Sequence, residues 1–112
     1  TPTPTPTPVV PEISVMGSPA LLYVGGDGKV WAESTKGSSV SVTSSGAGWV
    51  SGLIPVDIRW DGTQCPTNKS CWRASVWAGS TPGMLSVTFH VTLNGVPGTP
   101  STVTFPVVAD EF

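Results

Sequence analysis

The chain has 112 residues, a net charge of −2 and only 11% charged residues, against about 25% in an average domain. This length allows one domain with one hydrophobic core. The five Lys and Arg residues are scattered, whereas binding of a nucleic-acid backbone needs clustered cations. No apolar run approaches the roughly 20 residues of a membrane-spanning helix. We therefore expect neither a nucleic-acid partner nor a membrane partner.

The chain opens with four Thr-Pro repeats, Thr1–Pro8. Alternating prolines favour an extended, semi-rigid spacer that rises about 3.1 Å per residue. We therefore predict a linker over residues 1–8 and a domain over residues 9–112. Because the chain begins at Thr1 rather than Met, we also expect it to be excised from a longer precursor. Such linkers are typical of tethered modules in extracellular multidomain proteins.

Short runs of alternating apolar and polar residues predict strands in the first half of the domain. Val9–Val15 is predicted as an edge strand, because Pro11 does not suit a central one. Leu21–Val24 and Lys29–Glu33 flank the glycine-rich residues 25–28 and are predicted to form a hairpin. Ser39–Thr43 is predicted as a short strand, and residues 44–48 as a loop that leads to Trp49.

The second half contains the longest alternation. Pro55–Trp60 is predicted as a strand with Val56, Ile58 and Trp60 directed inward. Cys71–Ala78 and Met84–Leu93 surround a Gly/Pro turn and are predicted to pair as a hairpin with one buried face. The last strand is predicted over Thr102–Val108, with Pro106 indicating an edge position.

These elements predict an all-β protein of about seven to nine short strands, with turn signals roughly every 8–12 residues. We predict an immunoglobulin-like antiparallel β-sandwich, with a small barrel as the alternative.

The two cysteines, Cys65 and Cys71, enclose five residues. A zinc site needs four ligands, and the pair has no further Cys or His beside it. We therefore predict a disulfide, which agrees with an exported protein, secreted or at the cell surface. Its role would be to stiffen a loop. Asn68-Lys69-Ser70 within that loop is also an N-glycosylation triplet, a short pattern that often arises by chance.

The five tryptophans separate by their position in the alternation. Trp60 and Trp72 fall on apolar faces and are predicted to pack in the core. Trp31 and Trp77 fall on polar faces, and Trp49 lies at the edge of a Gly/Ser loop. An indole offers an apolar plane with a polar rim, which suits the C–H face of a sugar ring. Trp31, Trp49 and Trp77 are therefore candidate ligand-binding residues for a polysaccharide; the alternative is that loops or a neighbouring domain cover them.

The sequence contains little that indicates catalysis. Glycoside hydrolysis needs two carboxylates that face each other, and the sequence does not place Glu33 and Asp57 together. His90, the single histidine, lacks a nucleophile-elbow motif. Asp27, Asp57 or Asp61 could hold a surface Ca²⁺, but turn chemistry accounts for Asp27 without one. We therefore expect no catalytic residues, no metal and no cofactor.

The C-terminal third, with its turn at Ser80–Gly83, strand at Leu85–Thr92, turn at Asn94-Gly95 and strand at Ser101–Val108, resembles the last strands of bacterial immunoglobulin-like modules. Thr-Pro linkers beside small tryptophan-rich β-sandwiches also resemble carbohydrate-binding modules of polysaccharide-degrading enzymes. The resemblance implies a non-catalytic carbohydrate-binding accessory module. The alternative is an immunoglobulin-like structural or adhesive unit that contacts other domains of its parent protein or neighbouring subunits.

Overall fold

The computed structural model describes residues 9–109, so the predicted linker Thr1–Pro8 lies outside the described residues. No helix within residues 9–109 has the length and apolar character needed to cross a membrane. The described residues form ten strands: β1 (Ile13–Ser18), β2 (Leu22–Tyr23), β3 (Asp27–Thr35), β4 (Ser39–Gly46), β5 (Gly48–Val50), β6 (Ile54–Val56), β7 (Lys69–Ala78), β8 (Gly83–Leu93), β9 (Val96–Pro97) and β10 (Ser101–Val108).

The strands form two five-stranded sheets that pack face to face. Sheet I has the order β1-β3-β7, and both β5 and β6 pair with the far side of β7. Sheet II has the order β2-β10-β8-β4, and β9 pairs with β8. This order corresponds to the ABED and CFG sheets of the immunoglobulin arrangement. The predicted β-sandwich is therefore confirmed, with ten strands rather than seven to nine.

The core lies between the two sheets and is built from alternate residues of the long strands. Val30 and Ala32 of β3 and Ala74 and Val76 of β7 face the leucine, valine and phenylalanine side chains of β8 and β10. Burying one face of each strand is the main apolar contribution to the stability of such a sandwich. The predicted inward faces of β3, β7, β8 and β10 are thus confirmed.

The predicted hairpin between Cys71–Ala78 and Met84–Leu93 is wrong. The first segment lies in β7 of sheet I and the second in β8 of sheet II. The Gly/Pro turn therefore carries the chain across the sandwich, and the two apolar faces pack against each other rather than side by side. Alternation identifies a buried face, but it does not identify the strand that supplies the neighbouring hydrogen bonds.

The predicted hairpin between Leu21–Val24 and Lys29–Glu33 is also wrong. β2 pairs in parallel with β10 in sheet II, whereas β3 pairs with β1 and β7 in sheet I. Gly25, at a φ of 76°, lies in the turn that connects the two sheets. A positive φ is readily adopted by glycine, so the same residues fit a tight hairpin or a crossover.

Several strand boundaries also differ from the predictions. The first strand begins at Ile13, after the buried Pro11, rather than at Val9. β4 continues to Gly46 and β5 begins at Gly48, so the predicted loop over residues 44–48 is reduced to a short crossover. Among the described residues, β10 has β2 beside it only at residues 107 and 108, so the edge position indicated by Pro106 holds for the rest of the strand.

Candidate functional site

Trp31, Trp49 and Trp77 all occupy outward positions of sheet I. Trp31 alternates with the buried Val30 and Ala32, and Trp77 alternates with Val76 and Ala78. Trp49 is the register partner of Trp77, and register partners of an antiparallel pair project from the same face. The structure therefore places all three predicted binding residues on one surface, which we call the indole face.

Trp49 and Trp77 are stacked, with ring centroids 6.2 Å apart and ring planes inclined by 25°. Trp49 lies on the short strand β5 and remains 54% exposed, whereas Trp77 on β7 is half-buried. Offset stacking of this kind stabilises the orientation of both rings. Trp77 therefore supports Trp49, and Trp49 presents its free ring surface to solvent.

Trp31 lies on the same face but at a different position along the strands, so it is not in register with Trp49 and Trp77. Its register partner on β7 is Arg73, and the guanidinium carbon of Arg73 lies 5.4 Å from the centroid of the Trp31 ring. This is a cation–π contact, and it holds the indole at a fixed place on the sheet. Trp31 is half-buried rather than fully exposed.

The prediction that Trp60 packs in the core is wrong. β6 ends at Val56, and the following residues leave the ladder. Ile58 then forms an isolated bridge with Gln64, and Gly62 N–H donates to the carbonyl of Arg59, so that Trp60 lies in a tight turn. Ile58 and Trp60 are 53% and 50% exposed. The alternation from residue 55 to residue 60 is thus not the alternation of a continuous paired strand.

The segment that carries Trp60 lies over the indole face and is held there at two points. Arg59 forms an ion pair with Glu33 of β3. The predicted disulfide between Cys65 and Cys71 is confirmed, with a Cα–Cα distance of 6.0 Å, and it ties the end of the segment to β7. We call residues 57–65 the tryptophan loop.

A groove separates the tryptophan loop from strands β1 and β3. It has a volume of about 460 Å³, and the indoles of Trp31 and Trp60 line it together with Met16. Its polar groups come from Ser18, Asp27 and Lys29. An apolar groove with a few convergent polar groups is the usual form of a small-molecule site.

The groove runs along β3 toward the stacked pair Trp49 and Trp77. The ammonium group of Lys29 donates to the hydroxyl of Ser75 at 2.9 Å, and Asp27, at the far end of the groove, is the register partner of Trp77. Trp77 follows Arg73, the partner of Trp31, by four residues, which corresponds to about 13 Å along the strand. Along the strands, the indole face therefore presents an aromatic row at Trp31, a polar row at Lys29 and Ser75, and a second aromatic row at Trp49 and Trp77.

Trp72 points inward, as predicted. It is half-buried and packs against the core, and its indole N–H donates to the hydroxyl of the buried Ser34 at 3.0 Å. The opposite directions of Trp72 and its neighbours Arg73 and Cys71 follow from the alternation of a strand. Trp72 is therefore a structural residue and no part of the indole face.

The remaining chemically reactive side chains lie apart from one another. His90 is exposed on β8 of sheet II, on the opposite side of the sandwich from Glu33. In the tryptophan loop, hydrogen bonds from the hydroxyl and the backbone N–H of Thr63 lower the pKa of Asp61. Within residues 9–109, no three His, Cys, Asp or Glu side chains are close enough together to hold a metal ion.

Comparison with protein-family models, curated proteins and solved structures finds no match to this chain. Its function is therefore argued from the indole face alone. Trp60, which borders the indole face from the tryptophan loop, is not among the predicted binding residues. Asp61-Gly62 immediately after it is a turn signal, and this signal indicates that the strand ends before Trp60.

Proposed function

We propose that this domain is a non-catalytic carbohydrate-binding module of a secreted or cell-surface multidomain protein, and that it binds polysaccharide through the indole face. The observation that carries the proposal is the groove between Trp31 and Trp60, with Ser18, Asp27 and Lys29 along it. The chain's own loops leave part of this surface open: Trp49 and Trp60 keep about half of their surface in solvent, whereas Trp31 and Trp77 are half-buried.

The chemistry of the groove matches that of a sugar ring. A pyranose has C–H groups on its faces and hydroxyl groups around its rim. An indole ring can cover the C–H face, and this contact removes apolar surface of both partners from water. The Lys29 ammonium can donate to a sugar hydroxyl and the Asp27 carboxylate can accept from one. One groove therefore supplies both kinds of contact.

The charge of the indole face favours a neutral glycan. Lys29 and Asp27 bring one positive and one negative group to the groove, and Arg59 and Glu33 neutralise each other in their ion pair. Arg73, which lies over Trp31, adds one further positive group. An acidic polysaccharide gains from clustered cations, and the face has no such cluster. We expect the affinity for neutral polysaccharide to change little with salt.

The spacing of the two aromatic rows favours a chain of several sugar units. A single sugar bound beside Trp31 and Trp60 does not reach Trp49, whose row lies about 13 Å further along the strands. A longer chain that runs along β3 and β7 contacts both rows. We therefore expect affinity to rise with oligosaccharide length until the chain spans both rows.

The disulfide is compatible with an extracellular location, since such bonds persist in oxidising compartments. Secretion or display at the cell surface fits the insoluble polysaccharides that a tethered binding module would contact. The Thr-Pro repeats at residues 1–8 support the same interpretation from the sequence.

The experiment is depletion of the full chain from solution by insoluble neutral polysaccharides, with cellulose, chitin and xylan as separate probes. Trp60→Ala and Trp31→Ala are each expected to weaken binding by about tenfold or more, as for a central aromatic contact. Tyr23→Ala is the matched control, because Tyr23 is exposed to a similar extent but lies on β2 of sheet II. The control is expected to bind as the unaltered chain does.

Two results contradict the proposal. One is the absence of depletion by any of the three polysaccharides and by soluble oligosaccharides in calorimetry. The other is equal loss of binding in Tyr23→Ala and Trp60→Ala, which places the glycan elsewhere. Far-ultraviolet circular dichroism of each variant establishes that it is folded.

A further inference from the structure

The edges of the two sheets are unequally protected. β1 is bracketed by Pro11 and Pro19, the edge part of β10 carries Pro106, and β2, β5 and β6 are two or three residues long. Short strands and prolines are the devices with which natural sheets prevent further pairing. β4 has neither device: Ser39–Gly46 is eight residues long, contains no proline and, within residues 9–109, pairs on one side only, with β8.

Charge is also distributed unequally. Within residues 9–109, every Asp, Glu, Lys and Arg belongs to a strand of sheet I or to a connecting segment, and the five strands of sheet II contain none. A charged side chain on an edge strand is the third common protection against pairing. The open edge of sheet II therefore lacks this protection as well.

The outward side chains of β4 are hydroxyls. Ser39, Ser41, Thr43 and Ser45 are exposed, whereas Val40 and Val42 turn toward the core. Each hydroxyl both donates and accepts hydrogen bonds. The hydroxyls of two copies of this edge can therefore hydrogen-bond to each other. A twofold axis brings the same residues of the two copies together, and no like charges meet there.

We propose that β4 is a self-association edge, at which a second copy of this chain adds its own β4 in antiparallel orientation to extend sheet II. A twofold axis near Val42 pairs the two strands and satisfies the outward N–H and C=O groups of both. The backbone supplies the hydrogen bonds, and the alternation keeps the valines of both copies on the core side. The indole faces lie on the opposite sheet and stay open.

The interface consists of one strand from each copy, which is small among stable protein interfaces. We therefore expect a reversible dimer rather than an obligate one. Sedimentation velocity from micromolar to millimolar concentration should show the average mass rise toward twice that of the monomer. Hydrogen exchange at the higher concentration should slow the amides of residues 39–46 and leave those of the other sheet edges unchanged.

Thr43→Lys tests the edge, because it places two like charges across the twofold axis without burying either. Thr104→Lys is the matched control: Thr104 is exposed on the same face of sheet II, but it lies on β10, two strands away from β4. We expect Thr43→Lys to remain monomeric and Thr104→Lys to associate as the unaltered chain does. Thermal unfolding of both variants establishes that they are folded.

Three outcomes overturn the proposal. The first is a monomeric mass at every concentration. This result is also expected if another segment of the chain covers β4. The second is association that Thr104→Lys abolishes and Thr43→Lys does not, which indicates contact through the sheet face. The third is association without slower exchange in residues 39–46. Polysaccharide depletion is measured on the same variants and is expected to be unchanged.

Discussion

Arg59 holds Glu33 through two contacts, one between Nε and Oε1 at 2.7 Å and one in which Nη2 donates to Oε2 at 3.1 Å. The two residues belong to the tryptophan loop and to β3. The Nη2 contact is a hydrogen bond, whereas the buried Nε makes none despite its short distance; a charge-assisted hydrogen bond fixes direction as well as distance. This pair therefore determines where the loop crosses the sheet, and with it the width of the groove between Trp31 and Trp60.

Glu33→Gln should loosen the tryptophan loop. The variant keeps the shape of the side chain but removes its charge. We expect a loss of about 1 kcal/mol or less in the free energy of unfolding, since both side chains are partly exposed. Binding of oligosaccharide should weaken severalfold because Trp60 is no longer held beside the groove. Urea unfolding and calorimetry measure the two effects.

Glu12→Gln is the control for this loss of charge, because Glu12 is exposed and precedes β1. A Glu33→Gln variant that binds with unchanged affinity contradicts the positioning role of the ion pair.

The stack of Trp49 on Trp77 should appear as a coupling free energy. In a double-mutant cycle with Trp49→Ala and Trp77→Ala, we expect a coupling of about 0.5–1.5 kcal/mol in the free energy of unfolding. For long oligosaccharides, each single variant should weaken binding, and the double variant should be little worse than Trp49→Ala alone. Strictly additive losses of affinity show instead that Trp77 contacts the glycan independently.

Trp72 and Trp60 should differ in their effect on stability. Trp72→Ala opens a cavity beside the core and removes the donor to Ser34, so we expect a loss of about 3 kcal/mol or more. Trp60→Ala removes a ring that is half in solvent, and we expect a loss of about 1 kcal/mol or less. Chemical denaturation measures both, and equal losses contradict the outward position of Trp60.

Removal of the disulfide should destabilise the domain without changing its fold. A chain with Cys65→Ser and Cys71→Ser should lose about 2–2.5 kcal/mol in the free energy of unfolding, as the chain-entropy model gives for so small a loop. Binding should also weaken, because the end of the tryptophan loop is no longer tied to β7. Reductant should shift the unfolding midpoint of the unaltered chain and leave that of the double variant unchanged.

Asp61 should contribute to the stability of the loop only when it is ionised. Its pKa is lowered by hydrogen bonds from Thr63. This contribution is complete above the ordinary carboxyl pKa of about 4 and is lost as the pH falls through the lowered value in the folded protein. Below about pH 4, the unaltered chain should therefore lose more stability than Asp61→Asn does. Acid unfolding followed by fluorescence compares them, and identical profiles contradict the role of Asp61.

The sequence by itself determined the fold class, the disulfide, and the direction of the side chains within the long strands β3, β7, β8 and β10. Alternation is a local property, so the outward positions of Trp31 and Trp77 and the inward position of Trp72 follow from their immediate neighbours. The spacing of Cys65 and Cys71 is also local.

Only the tertiary structure decided which strands pair and where Trp60 lies. The residues from 79 to 83 are compatible with a hairpin or with a crossover, and the choice depends on burial of two apolar faces that belong to distant parts of the chain. Trp60 continues an alternation that ends at Val56, because the chain turns there to place Arg59 on Glu33. Contacts between residues far apart in sequence set both outcomes.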